Sequence, residues 1–344
     1  MKVHICFPFN SLSLGGGGAQ FLRTLRNRFV AMNCYTENPD EAEAVFFNSH
    51  HDVSSVVKMK RCFPGKIFIH RLDGPMKLYN NSADNRDRTV YAMNGAVADG
   101  TVYQSHWSRM KNNEAGIVPA MFETVILNAS DPEIFNTVDR QEFSVNRRCR
   151  IVMSSWSSNF NKGFEVYQWL DAHLDFSRYE VLFIGRSPVS FTNIRLIAPL
   201  DARDMARELK KCDIYLTASR KDPCSNALVE ALHCGLPALA LNDGGHPELV
   251  GKGGLTFDVC EEIPGKLDLI RSDYSTFQAK IALPGIEDTA SAYLMFADMI
   301  ARRIADGEYI PKKAEWWKCF ALMLTNAVVK YGRWHTMRRS NHAK

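Results

Sequence analysis

The densest chemistry in the sequence lies in DPCSNALVEALHCGLPALALNDGGHPELVGKGGLTF, residues 222–257. Asp222 and Glu230 are separated by seven residues, with Pro223, Ser225 and Asn226 between them. ALVEALHC has helical spacing, which puts Ser225 and Asn226 near a helix N-terminus. The free backbone N–H groups and the dipole at such an end suit a phosphate. Glu230, two turns further on, can offer an acceptor pair to a sugar diol, and Asp222 lies beside the phosphate region. Gly235 closes the helix, and Asn242-Asp243-Gly244-Gly245 makes a tight loop after the next strand. An interior carboxylate such as Glu230 needs a partner, so it carries more weight than an exposed one.

A second candidate is NSLSLGGGGAQFLRTLRNRF, residues 10–29, a glycine run between an apolar strand and a helix. Glycines there let backbone N–H groups, at Gly16 and Gly17 for example, approach an anion. No Lys-Ser/Thr follows, so it is no P-loop. The spaced glycines and the downstream acid of a dinucleotide fingerprint are not clear either, which disfavours a nicotinamide-dependent dehydrogenase. A flexible loop remains the other reading of this run. His233 and His246 could form a metal pair, but no Cys/Asp cluster accompanies them, so ordinary helix and loop histidines are expected.

The elements that would position these residues are short apolar runs separated by helical stretches. KVHICFPF (2–9), AVFFN (44–48), KIFIH (66–70), DGTVYQS (99–105) and TVILN (124–128) form one series. RIVMSS (150–155), YEVLFIG (179–185), NIRLIA (193–198), DIYLTAS (213–219), LPALAL (236–241) and GLTF (254–257) form another. Continuous apolar strands alternating with helices predict doubly wound parallel sheets covered on both faces, an α/β architecture. Polar residues 128–149 separate the two series, and helical patterns take over after the last strand. The expected division is 1–140, 141–288 and a helical appendage, 289–344.

With several motifs in order along the chain, the sequence resembles the retaining glycosyltransferases of family four. The stretch 213–256 is similar to that family's Glu-x7-Glu region, with Asp222 in place of the leading Glu. SSWSSNFNKGFEVYQWLD (154–171) resembles its donor-phosphate motif, with Lys162-Gly163 as the basic element. FIGRSP (183–188), HRLDGP (70–75), GTVYQSHWSR (100–109) and VILNASDPEIFN (125–136) also have counterparts. The resemblance implies a GT-B fold, in which two Rossmann-like domains face a cleft holding a nucleotide-sugar donor. It implies that Lys162, Arg186, Ser225, Asn226, Gly16, Gly17 and Glu230 bind the donor and that Asp222 holds sugar hydroxyls. Either His70 or Asp73 would take the place of the family's catalytic-region histidine. The Arg that often precedes the motif Lys is absent, Trp156, Ser157 and Ser158 standing there instead, and Arg186 is the nearest replacement. Taken singly, Lys162 and Arg186 could equally be solvated surface groups.

A departing nucleoside diphosphate develops negative charge, which preorganised cations and a helix N-terminus can stabilise. No Asp-x-Asp appears, so no metal and no cofactor are expected. The implied acceptor is a carbohydrate or lipid-linked hydroxyl. A nucleotide-sugar epimerase or a non-catalytic nucleotide-sugar-binding protein is the alternative.

The remaining signals concern the setting. The 344 residues hold 42 Lys+Arg against 38 Asp+Glu. Residues 311–344 carry eight cations against Glu315 alone, a net +7, leaving −3 for the rest. A nucleic-acid binder with a basic surface throughout is thereby disfavoured. Nine scattered cysteines without Cys-x2-Cys spacing suggest a reducing compartment, and no secretory or membrane-spanning segment is read, which together predict a cytoplasmic location. Residues 311–334 read either as a membrane-surface helix or as a helix packed on the first domain. Their all-round apolar ALML and AVV segments favour packing, with peripheral membrane contact through 311–344 as the other reading.

Overall fold

The computed structural model describes residues 1–9, 17–80 and 83–342. Among these residues, eleven strands form two parallel sheets. The first holds β1 (Val3–Cys6), β2 (Ala44–Asn48), β3 (Ile67–Leu72), β4 (Gly100–Tyr103) and β5 (Phe122–Val125), in that spatial order. The second holds β6 (Cys149–Ser155), β7 (Tyr179–Gly185), β8 (Arg195–Ile197), β9 (Ile214–Thr217), β10 (Ala238–Leu241) and β11 (Gly254–Phe257). Its spatial order is β11-β10-β9-β6-β7-β8. Every apolar run in the sequence became a strand. The fifth begins two residues early, because Phe122 to Val125 are the ones in register with Gly100 to Tyr103.

By its contacts the chain divides into two compact units. One comprises Met1–Leu14, Leu25–Leu127 and Glu287–Lys344, and the other Gly15–Thr24 and Asn128–Ile286. The first division therefore comes before the expected 140/141. Residues 128–140 are tied to the second unit: Lys210 donates to Asn136 at 2.8 Å, and Arg140 donates to the Cys212 carbonyl at 3.4 Å. The second division, at 286/287, lies two residues from the expected one.

In the first unit, β2 to β5 step in one direction across the sheet. Right-handed crossovers then put α2 (Val53–Cys62) and α3 (Arg86–Val97) on one face. Helix α1 (Gly17–Ala31) takes the other face, because the chain leaving it first touches the opposite edge through a Val3–Tyr35 bridge. Phe29 of α1 stacks on Phe46 at 5.8 Å. That face is completed by residues from the far end of the chain. Tyr293 meets Phe46 edge-on at 5.4 Å, and Gly100 lies against Phe296 and Ile300. A sheet wound this way needs an added layer, and the helix spanning Ile286–Ala305 supplies it.

The segment after that helix is anchored by one buried carboxylate. Asp99, fully buried, accepts from Lys60 at 2.9 Å, the Phe68 backbone N–H at 2.8 Å, the Tyr309 hydroxyl at 2.9 Å and the Lys312 N–H at 2.8 Å. Lys60 is equally buried and donates also to the Lys66 carbonyl at 3.0 Å. Asp99→Ala would strand the Lys60 ammonium in the interior and release 309–312 together. Loss of one partner of a buried pair costs about 3–5 kcal/mol. Urea unfolding should therefore show the first unit destabilised by that amount, whereas a loss near zero would mean the pair is not buried in solution.

Candidate functional site

The second sheet changes winding direction between β6 and β9, neighbours whose chains leave on opposite sides. Open α/β sheets bind ligands at the carboxyl ends of such strands. Two loops meet at this point. The loop after β6 closes in a short turn, Phe160–Lys162, and Gly163 follows it at φ 88°. A side chain on Gly163 would collide with the Ala218 carbonyl, so only glycine lets this turn lie against the end of β9. The Arg220 N–H donates to the Asn161 carbonyl at 2.6 Å and locks the two loops together.

This brings together residues sixty positions apart. Lys162 Nζ donates to Asp222 Oδ2 at 3.0 Å and to Ser219 Oγ at 3.4 Å, while Ser219 donates to the same carboxylate at 3.4 Å. Burial would raise the Asp222 carboxyl, but the charge of Lys162 turns the shift downward. Asp222 is therefore an anion poised beside a cation. Its backbone carbonyl accepts from Gly245 at 2.9 Å, which brings in the loop after β10.

His246 from that loop is fully buried, and burial lowers its pKa. Its Nδ1 faces the Leu241 carbonyl at 3.0 Å and must be the protonated nitrogen, because a carbonyl only accepts. Nε2 then bears a buried lone pair with no partner among the described residues. It lies close enough to Asp222 to feel its charge. Sequence reasoning passed over His246 as an ordinary loop residue, and it passed over Ser219 as the end of a strand. The position of His246 directly after Gly244-Gly245, in the loop already assigned to the site, was the available signal.

Ser225 begins α4 (Asn226–His233) without capping it: its side chain accepts no hydrogen bond from the first turn. The N–H groups of that turn stay available to an anion. Asn226 accepts from Asn128 at 3.0 Å and sits against Gly17, where an added Cβ would come within 2.6 Å of Asn226 Nδ2. Gly17, Gln20, Ser130, Asn226 and Glu230 line one small pocket, all within the second unit. Glu230 is half-buried in it, with no described residue bonded to its carboxylate, and burial pushes its pKa up to about 8. At neutral pH it is largely a neutral acid waiting for donors.

Arg186 follows β7, and its backbone N–H bonds to the Ser155 carbonyl at the end of β6 at 2.9 Å. Its side chain is exposed. The structure thus groups Lys162 and Asp222 in one cluster, and Gly17, Asn226 and Glu230 in one pocket. Gly16 lies outside the described residues.

His70 and Asp73 lie in the first unit, at the carboxyl end of β3. His70 is fully buried, with Nε2 2.8 Å from the Ser49 carbonyl and Nδ1 3.1 Å from Asn94 Oδ1. Burial lowers its pKa to about 4, and with both ring nitrogens facing oxygens of the first unit it holds the strand end and presents no nitrogen to a ligand. Asp73 is the more accessible of the two. Its carboxylate accepts from Gln104 and from Arg71, the latter at 3.4 Å, and about a third of its side chain is exposed. Among the described residues no three His, Cys, Asp or Glu side chains converge as metal ligands.

Residues 177–266, which contain Asp222 and the helix that carries Glu230, match the family described as glycosyl transferases group 1. No curated protein sequence matches the chain. A glycosyltransferase from Rickettsia africae superposes with a TM-score of 0.63 at 13% identity, over 87% of this chain and 98% of that one. HepE from Anabaena in complex with UDP-glucose gives 0.58 at 15% identity, over 88% and 99%. Sucrose-phosphate synthase from Thermosynechococcus elongatus gives 0.57 at 13% identity, over 84% and 78%. With two parallel α/β sheets of five and six strands, the chain has the GT-B fold, and its second unit carries a segment of the glycosyl transferases group 1 type.

Proposed function

We propose that this protein is a retaining glycosyltransferase that moves a sugar from a nucleotide-sugar donor to a hydroxyl on a glycan, glycolipid or similar acceptor, without a metal. The observation that carries the reading is the Lys162–Asp222 pair at the switch point of the second sheet, in the same second-unit loop system as the uncapped start of α4. HepE, a structural neighbour, holds UDP-glucose, and the matched family segment, residues 177–266, covers Asp222 and the start of α4.

The chemistry rests on the residues. Lys162 and the first-turn N–H groups of α4 supply fixed positive potential for the diphosphate as its bond to the sugar breaks. Exposed Arg186, which follows β7 beside the end of β6, would add a second cation. Asp222, kept ionised by Lys162, accepts from sugar hydroxyls. Glu230 accepts the two ribose hydroxyls. Retention is supported by the resemblance of 213–256 to the Glu-x7-Glu region, where the leaving phosphate assists on the same face. Asp73, accessible at a strand end of the first unit, would orient the acceptor.

Incubation with a panel of nucleotide-sugars tests the activity through slow donor hydrolysis. Turnover of at least one donor is expected, with an anomeric configuration in the product that matches the donor by NMR. Lys162→Ala should lower it about 100-fold, the usual effect of removing one charge-stabilising donor. Nucleotide binding without turnover of any donor would instead favour a binding protein.

Glu230 makes a separate prediction. Ribose hydroxyls donate, so they favour the carboxylate, and below pH 8 binding must include loss of its proton. Nucleoside diphosphate affinity, measured calorimetrically, should rise with pH by up to about tenfold per unit until about pH 8. In Glu230→Gln that part of the rise should disappear. An identical pH profile in the two proteins would remove Glu230 from the ribose site.

A further inference from the structure

The C-terminal helix packs on the first unit with one side only. Here α6 (Trp316–His342) follows α5 (Ile286–Ala305) and lies against α3 and α2. Cys319, Leu322, Asn326 and Val329 are buried on that side. The opposite side is apolar too, and it is bare. Trp316, Trp317, Phe320, Leu324 and Val328 are between 54 and 75% exposed. The helix packs on the first unit, as its all-round apolar ALML and AVV segments favoured, but those segments are split between the buried and the exposed side. At about 100° per residue the five exposed side chains sweep an arc of roughly 120° over more than three turns. Lys330 and Lys318 fall at its two margins, and no acidic residue occurs anywhere in the helix.

Beside this stripe lies a groove of about 500 Å³ lined by Ser54, Val57, Lys58, Arg61, Cys62 and Met323. Lys58 and Arg61 are exposed there, on α2, next to the apolar face of α6. A bare apolar stripe with paired tryptophans, bordered by cations and by a two-cation groove, matches the two layers of an anionic lipid surface. The tryptophans and leucine enter the acyl boundary, and the groove takes a headgroup phosphate.

We infer that this face docks the protein on an anionic lipid bilayer, α6 lying in the interface and Lys58 and Arg61 holding a lipid phosphate. Charge complementarity selects this occupant over a second copy of the chain. A two-fold dimer through the face would press together two segments that each carry +7 over residues 311–344. The inference goes beyond the glycosyltransferase reading and is tested without it.

The test is flotation of the full chain with vesicles of phosphatidylcholine alone, or containing about 30 mol% phosphatidylglycerol, at low and high salt. Binding to the anionic vesicles is expected to exceed that to the neutral ones by about tenfold or more, and to weaken with salt. The variant Trp316→Ser/Trp317→Ser/Phe320→Ser/Leu324→Ser changes only exposed side chains. It should lose vesicle binding about tenfold or more while keeping its circular dichroism and its donor hydrolysis. Lys58→Ala/Arg61→Ala should lose most of the preference for anionic vesicles. Absence of wild-type flotation, or equal flotation of the serine variant, would overturn the inference. So would a dimer in light scattering that the serine variant splits, with no vesicle binding. Unchanged preference in Lys58→Ala/Arg61→Ala would overturn the headgroup groove. Donor hydrolysis, read without vesicles, reports on the catalytic proposal separately.

Discussion

A parallel sheet that reverses its winding must leave a gap between the two chains departing from its central strands. In this protein the gap lies between β6 and β9, and the candidate chemistry of the second unit is arranged around it. The strands are in register, Ile151 opposite Ile214 and Val152 opposite Tyr215, so their ends are held as firmly as the core. The loop leaving each strand then has little freedom. The turn after β6 can sit against β9 only because residue 163 is glycine, and this delivers Lys162 to Asp222. Asp222 in turn ties down the loop after β10 through its own carbonyl. The cation, the anion and the buried histidine are thus preorganised by backbone, which is what a site stabilising a departing diphosphate requires.

The first unit meets a different constraint. Its strands step mostly one way, so its own crossovers cover one face well and leave the other to be completed. The completing residues come from beyond residue 286, and Asp99 joins that late segment to α2, β3 and the start of β4. The four donors around Asp99 compensate for burying its charge. They also place the start of α6, and so decide which side of that helix is packed and which is left bare.

Much of this was legible in the sequence. The eleven strands of the described residues show as apolar runs, because strands buried on both faces must be continuously hydrophobic, the edge strands β5 and β8 being less buried. The helix start at Ser225-Asn226, the Lys162-Gly163 turn and the Asp222–Glu230 spacing are local patterns, and they survive as local structure. Less legible was anything set by partners distant in the chain. His70 carries the same sequence signal as an accessible histidine, yet its two ring nitrogens are faced by Ser49 and Asn94. His246 looked like a loop residue until the fold buried it beside Asp222.

The basic tail shows the same division. Its charge of +7 and its apolar content are properties of the residues and needed no structure. Which of its apolar side chains are buried depends on the rotation of α6 against α3 and α2, and periodicity cannot set that when both sides of a helix are apolar. By itself, then, the sequence determined the strands, the loops that carry chemistry and the order of the motifs, because these arise from local patterning. Only the tertiary structure decided the Lys162–Asp222 pairing, the neutral state of Glu230 and the bare face of α6. Each of those depends on burial and on neighbours brought from far along the chain.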